Sequence, residues 1–591
     1  MFKKKQKQTV QGARSPDEVK KNIGRETNIL LAQGVKVSYD TWKTRLGSNN
    51  VLLIGGTGEG KSRNTIKPNV YSLPTDPKTG KAMSMIFTDP KGELYQDTAG
   101  FLEANGYETR IFNVNADGMA CSDCYNPFRY ITTADSLMIM VDSVVSNANG
   151  GQTPKDPHWT NSAKSMLNSI CYAIYYEFPF AQQNFTTVSA LLNMCWATED
   201  ESEKCDYDIW LDSLEETSPY GSEHPAIVWR RKVAAHGSEM SSIISTTQTA
   251  VRIFASKQIQ RLTNVDTLAL DEIGDRPTAI YLCIPTTNDT YSFLLGLMYT
   301  QLFESLYNKA QGVYSGSLPH HVILWLDEFA NIGKIPGFDR KIATFRSVNI
   351  SAVIVVQSPN QIETLYEKAY QDIMDNVHQT IFIGSGGQGD KAATAWVSKA
   401  LGQKTIQAEQ SSVRHASGGI NMFGIDDRTI EHSYSAIQRP VMTQDEVYRL
   451  PPDQCIVFIK GQKPFKDYKI NLDTCLNYGS DLFTEPGKFG RKLKPQFAFR
   501  AKGEGARVRT VESYRKGLEL AAKTDKIQYE MRLRALAEDA EYDLPDDAPV
   551  TAAPEILTES LLPDPKSLTA VEANISTAEA EEKADDMFAS E

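Results

Sequence analysis

Val51-Leu-Leu-Ile54-Gly55-Gly-Thr-Gly-Glu-Gly60-Lys61-Ser62 is the stretch whose reading decides the fold. A short apolar run passes directly into a loop that fits G-x-x-x-x-G-K-[ST], the pattern of a phosphate-binding loop. Gly55, Gly56, Gly58 and Gly60, with Thr57 and Glu59 between them, let the chain curl until its backbone N–H groups face one centre. The helix expected next adds the positive end of its dipole. Lys61 is then placed to reach the β- and γ-phosphates and Ser62 to offer its hydroxyl to Mg²⁺, so ATP and Mg²⁺ are the ligands implied. The bland alternative is a glycine-rich strand–helix turn that matches by chance.

A carboxylate partner weighs against chance. Val322-Ile-Leu-Trp-Leu326-Asp327-Glu328 is an apolar strand ending in two acids, delivered to the sheet edge where the phosphate loop also opens. Asp327 is suited to hold Mg²⁺ through water, and Glu328 to polarise an attacking water. The doublet lies 266 residues beyond Lys61, much farther than in nucleotide kinases or small GTPases. That gap points to a RecA-like ATPase with an added domain. Gln357 follows the next apolar strand, Val353–Val356, where a polar side chain can bond the γ-phosphate or the lytic water; as a mere loop glutamine it would need no role.

The expected fold class is therefore α/β. It comprises a RecA-like P-loop NTPase domain with a parallel-type central sheet, interrupted by an all-α domain and followed by a helical, then disordered, C-terminal extension. Val51–Ile54, Met83–Thr88, Ala279–Ile284, Val322–Leu326, Ala352–Val356 and Thr380–Ile383 read as buried strands. Trp159–Glu177, Thr187–Thr198 and Glu239–Phe254 carry helix-period apolar positions instead. The expected divisions are a basic N-terminal segment at 1–45, the nucleotide-binding domain in two parts at 46–154 and 263–475, the all-α domain at 155–262, and the extension at 476–591. Gly384-Ser-Gly386-Gly-Gln-Gly389 also fits G-x-G-x-x-G. No acidic strand end follows about twenty residues on, so it reads as a glycine loop between elements and not as a dinucleotide site.

Charge must be located before it is used. The net charge of −12 over 591 residues argues against nucleic acid, yet residues 538–591 hold sixteen Asp/Glu against Lys566 and Lys583. That tail carries −14 and leaves the rest of the chain at +2, with a basic head of +5 over residues 1–21. Eight cysteines are too few for a disulfide framework, and Cys121-x-x-Cys124 lacks the second pair that a structural zinc needs. No apolar run reaches the roughly 18 residues of a membrane span, and no secretory leader is legible. Arg230-Arg-Lys232 and Arg340-Lys341 are candidate DNA contacts, each of which would otherwise be solvated charge.

Taken together, the motifs resemble those of the VirD4/TraG type IV coupling proteins, especially the ones of Gram-positive mobile elements. Beyond the phosphate loop, the resemblance is carried by Thr88-Asp-Pro-Lys-Gly-Glu93, Tyr125-Asn-Pro-Phe128, Asp156-Pro-His-Trp159, Leu326-Asp-Glu-Phe-Ala-Asn331, Val355-Val-Gln357 and Arg439-Pro-Val-Met-Thr-Gln-Asp-Glu446. It implies an ATP-hydrolysing homo-hexamer that takes single-stranded DNA with its relaxase to type IV secretion channel proteins. Lys61, Ser62, Asp327, Glu328 and Gln357 match the family's nucleotide site. Arg346, in Thr344-Phe-Arg-Ser347, matches an arginine that reaches the neighbouring subunit's phosphate. Family members usually begin with transmembrane helices, which are not legible here. The expected place is the cytoplasm at the inner face of the cell membrane, with membrane contact through partners or the basic head. Two alternatives stand beside this reading: a substrate-sorting receptor that uses ATP for assembly only, and a related ring-shaped DNA translocase.

Overall fold

A computed structural model describes residues 26–472 apart from 116–118, 120–121, 149–156, 201–202, 234, 285–290, 387–390 and 416–427. The basic head, Cys121, Asp156 and the C-terminal extension lie outside the described residues. The fold is a RecA-like α/β architecture around one nine-stranded sheet in the order β13-β12-β9-β3-β8-β7-β4-β6-β5. The strands are β3 (Val51–Ile54), β4 (Ser84–Thr88), β5 (Glu108–Asn113), β6 (Thr278–Cys283), β7 (Val322–Leu326), β8 (Ile350–Val356), β9 (Gln379–Phe382), β12 (Gln454–Ile459) and β13 (Phe465–Tyr468). From β9 to β5 all neighbours pair in parallel, and only β12 and β13 extend the sheet antiparallel.

Strands buried on both faces need continuous apolar sequence, which is why β3, β7 and the Ala352–Val356 part of β8 are legible as unbroken hydrophobic runs. Their period of two divides the core. Leu52, Ile54, Leu324, Leu326, Ile354 and Val356 face a helical layer, whereas Val51, Leu53, Ile323, Trp325, Val353 and Val355 face the other side. On that second side packs an antiparallel hairpin of β1 (Asn28–Ala32) and β2 (Val35–Ser38). Gln33 N–H donates to Tyr468 O at 2.9 Å, which ties the hairpin to β13.

Between β5 and β6 the described elements are helical: α1 (Ala134–Ala148), α2 (Pro157–Glu177), α3 (Phe185–Asn193), α4 (Asp206–Thr217), α5 (Pro225–Arg231), α6 (Gly237–Val251) and α7 (Lys257–Thr263). Met166, Leu167, Ile170, Cys171 and Ile174 make the buried stripe of α2, and α1, α3, α5 and α6 pack around it. The hydrophobic core runs without a break from this bundle into the first sheet face. Tyr125-Asn-Pro-Phe128 forms the joint. The Asn126 side chain accepts from Phe128 N–H at 3.0 Å and donates to Gln183 O and Asn264 O, both at 2.9 Å.

Several elements depart from the sequence expectation. β5 opens with Glu108-Thr-Arg110, too charged to read as a strand, because it is the sheet's edge. There the Arg110 guanidinium is neutralised by Glu108 and Glu272 and donates to two backbone carbonyls. The polar stretch after residue 402 forms β10 (Gln403–His415), which pairs only with β11 (Arg428–Pro440) as a separate two-stranded sheet. This strand does not lie beside β9, so no dinucleotide-type β-α-β unit forms around Gly384.

Candidate nucleotide site

The P-loop strand β3 and the acidic strand β7 are separated by β8, and all three end at the same edge of the sheet. This order brings Gln357, at the end of β8, to the same edge as Lys61 and the two carboxylates. Lys61 Nζ is 3.1 Å from Glu328 Oε1, and Gln357 Nε2 donates to Glu328 Oε2 at 3.2 Å. Ser62 Oγ donates to Asp327 Oδ2 at 3.4 Å. Glu328 itself takes a left-handed conformation at φ 49°, uncommon for a residue with a Cβ, and its N–H donates to Asp327 Oδ1 at 3.0 Å. Phe329, stacked on Tyr366, anchors the turn from below.

The loop is shaped by its glycines where positive φ demands them, Gly58 at 84° and Gly60 at 86°. Among the described residues, the N–H groups of Gly58 and Gly60 meet no protein acceptor, as expected of a cradle for an anion. The Gly384–Gly386 segment braces it. Gly56 N–H donates to Gly384 O at 3.1 Å, and a Cβ on Gly56 would lie 2.1 Å from Gly386 N. This second glycine motif is thus a wall of the first, consistent with the reading as a loop between elements; residues 387–389 lie outside the described part. Across the cradle, Lys469 Nζ donates to Glu59 O at 3.0 Å and contacts Glu59 Oε2 at 3.1 Å.

Electrostatics at this edge are dominated by acids. Burial pushes Asp327 up to about 6, with Glu328 adding to the rise and Lys61 opposing it. Asp89, at the end of the neighbouring strand β4, is pushed up to about 7 mainly by burial, although it accepts the Tyr95 N–H at 2.8 Å. The hard oxygen donors of Ser62 and Asp327, 3.4 Å apart, fit Mg²⁺.

Arg346 is not brought to this edge. It precedes β8 at the opposite end, beside His378, and seven strand residues separate it from Gln357, roughly 20 Å. Arg230 is no free DNA contact either, because Asp208 takes it in a bidentate pair at 2.7 Å for both bonds. Arg231 pairs with Glu215, and Lys232 lies over the Trp229 ring. Lys341 is half-buried, donates to Pro336 O and lies near Glu304, while Arg340 stays exposed. Cys124 is an inert buried thiol pushed up to about 12, and no cluster of metal ligands occurs among the described residues. Lys469 and Asp89 are the parts that motif reading missed as site residues. Asp89 lies in a quoted motif, whereas Lys469 follows a four-residue strand with no local signal at all.

The family model for type IV secretory system conjugative DNA transfer matches residues 3–472. The chain belongs to this family. It is 22% identical to the conjugal transfer protein TraG of Escherichia coli over 424 residues, which covers 68% of this chain and 62% of TraG. It is 23% identical to VirD4 of Rhizobium radiobacter over 433 residues, covering 71% of this chain and 56% of VirD4. The chain thus spans less than two thirds of the length of either relative. Among solved structures, the unbound bacterial conjugative coupling protein TrwBdeltaN70 aligns with a TM-score of 0.52 at 14% identity, covering 77% of this chain and 91% of that one. TrwB with the non-hydrolysable ATP analogue ADPNP aligns at 0.51 and 14% identity, covering 78% and 93%. TrwB has also been solved with ADP and Mg²⁺. No described helix is long and apolar enough to cross a membrane.

Proposed function

We propose that this protein is a conjugative coupling ATPase, which recruits a relaxase–DNA complex and uses ATP to drive DNA to a type IV secretion channel. The observation that carries the reading is the Lys61–Glu328–Gln357 chain with Ser62 and Asp327 beside it, all at one sheet edge and facing a cradle of N–H donors. The domain division expected from sequence belongs to the same proposal.

In this reading the cradle from Gly55 to Gly60 binds the phosphates, and Lys61 leaves Glu328 to neutralise them. Ser62 and Asp327 hold Mg²⁺, which when bound screens the phosphate charge during transfer. Glu328, released by Lys61, orients a water and takes its proton. Gln357 keeps that carboxylate aligned and senses the γ-phosphate. Arg346 cannot act on its own subunit's phosphate across the sheet, so it acts on the neighbour's in a homo-hexameric ring, which makes turnover depend on assembly. Localisation at the inner face of the membrane, through channel partners, follows from the same role.

Mg²⁺-dependent ATP turnover stimulated by single-stranded DNA tests this function, and normal turnover in Lys61→Ala and Glu328→Gln would refute it. One observation favours the receptor reading as a second function. The helical bundle holds a cavity of about 490 Å³ between Trp196, Cys205, Leu211, Ile227 and Met240, rimmed by paired charges. A cavity of this size takes one or two anchoring side chains of a docking segment, which needs no turnover.

A further inference from the structure

The Lys469 side chain is only 7% exposed and reaches from the segment after β13 to the phosphate loop, where it donates to the Glu59 carbonyl at 3.0 Å and to its carboxylate at 3.1 Å. The carbonyl contact is the consequential one. A peptide unit is planar and trans, so the C=O of Glu59 and the N–H of Gly60 point in opposite directions. Fixing the carbonyl on Lys469 therefore fixes the direction of the Gly60 N–H. Glycine's freedom makes such a fixture necessary, because Gly58 and Gly60 flank Glu59 at φ 84° and 86° and this peptide could otherwise flip at little cost. The Glu59 carboxylate is held as well by Lys469 and lies against Gly384, whose φ of 136° favours glycine. Lys469 is itself fixed by the sheet. Its N–H donates to Asp453 O at 2.8 Å, and β13 pairs with β12 on the same chain.

We infer that Lys469 is a positioning residue of the phosphate loop, which aims the Gly60 N–H at the bound nucleotide's phosphates by anchoring the Glu59 carbonyl. This rests on the nucleotide-binding reading of the loop. The arrangement also means that the residue directly after the last described strand reaches the site, so nucleotide affinity depends on how β13 is seated. The hairpin of β1 and β2 shares that seat through the Gln33–Tyr468 and Gly34–Asp467 bonds, both at 2.9 Å.

The test uses the full chain with a fluorescent ATP analogue, ADP as competitor, and steady-state turnover. Lys469→Met removes the donor while keeping the length of the side chain. Loss of one charged hydrogen bond that preorganises a phosphate contact raises Kd and KM about 10-fold and leaves kcat within about 3-fold. Lys469→Arg, which retains a donor, recovers most of that affinity. A residue serving stability alone would give the opposite split, a lower kcat at unchanged KM as the active fraction falls. Should Lys469→Met not fold, Lys469→Gln, with a shorter donor, reads the same KM shift at smaller size. Wild-type affinity in Lys469→Met, in a preparation where Lys61→Ala loses binding, overturns the inference and leaves the nucleotide reading standing. Absence of binding by the wild-type chain overturns both.

Discussion

Lys61 Nζ stands 3.1 Å from Glu328 Oε1, so the lysine of the phosphate loop and the second acid of the strand-end doublet form an ion pair across the mouth of the site. The pair is half-sheltered, with 9% and 25% of the two side chains exposed, and it holds the acid away from any other role. A phosphate entering the cradle competes for the lysine with up to three oxygens. In the proposed mechanism, ligand binding and release of the carboxylate are thereby one event.

The two members of the pair are expected to separate binding from chemistry. Glu328→Gln keeps the shape and the Gln357 contact but loses the base, so nucleotide affinity is retained or improved while turnover falls about 100-fold or more. Lys61→Ala loses affinity first, because the phosphates lose their cation and Glu328 is left facing them. Equilibrium binding alongside turnover distinguishes these outcomes, and equal loss of affinity in both variants would contradict the assignment.

Gln357 touches the same carboxylate at 3.2 Å from the far side. Gln357→Ala is expected to lower kcat about 10-fold with little change in Tm, since the side chain is partly exposed and packs no core. An unchanged kcat would reduce this glutamine to a loop residue.

Arg346 and Lys61 lie at opposite edges of one sheet, which permits a complementation experiment. Arg346→Ala and Lys61→Ala are each expected to be nearly inactive alone. Mixed one to one, they should regain a measurable fraction of activity, because an intact phosphate loop then meets an intact arginine at mixed interfaces. Failure to complement while mixed assemblies form would place Arg346 outside the reaction.

The raised acids have a consequence for stability. Asp89 is shifted from 3.8 to about 7, so the native state favours its protonated form more than the unfolded chain does. Its contribution to stability is full below the unfolded value and is lost as pH rises through about 7. Asp327 shifts in the same direction. The nucleotide-free chain should therefore lose several degrees of Tm between about pH 5 and about pH 8, and Asp89→Asn, which can still accept the Tyr95 N–H, should flatten that slope. Parallel slopes in the two proteins would contradict it.

Legibility in the sequence followed burial. Strands β3 and β7 are apolar throughout, and β8 is apolar from Ala352 to Val356, because both faces are covered, and they carried Lys61, Asp327, Glu328 and Gln357 to one edge without need of coordinates. β5 escaped because an edge strand tolerates Arg110, whose charge is met by neighbouring Glu108 and by residues 268–272 far along the chain. Arg230 read as available cation for the same reason in reverse, since its partner Asp208 lies 22 positions away on another helix. Lys469 meets Glu59 across 410 residues of sequence, and no local pattern encodes such a contact.

The most direct test of the central claim is steady-state ATP turnover in Mg²⁺ as protein concentration rises, with and without single-stranded DNA, for the wild-type chain and Glu328→Gln. Assembly-dependent chemistry predicts turnover per subunit that increases with concentration, rises further with DNA, and is abolished in the variant. Turnover per subunit that is independent of concentration and DNA, or that survives Glu328→Gln, would contradict the account.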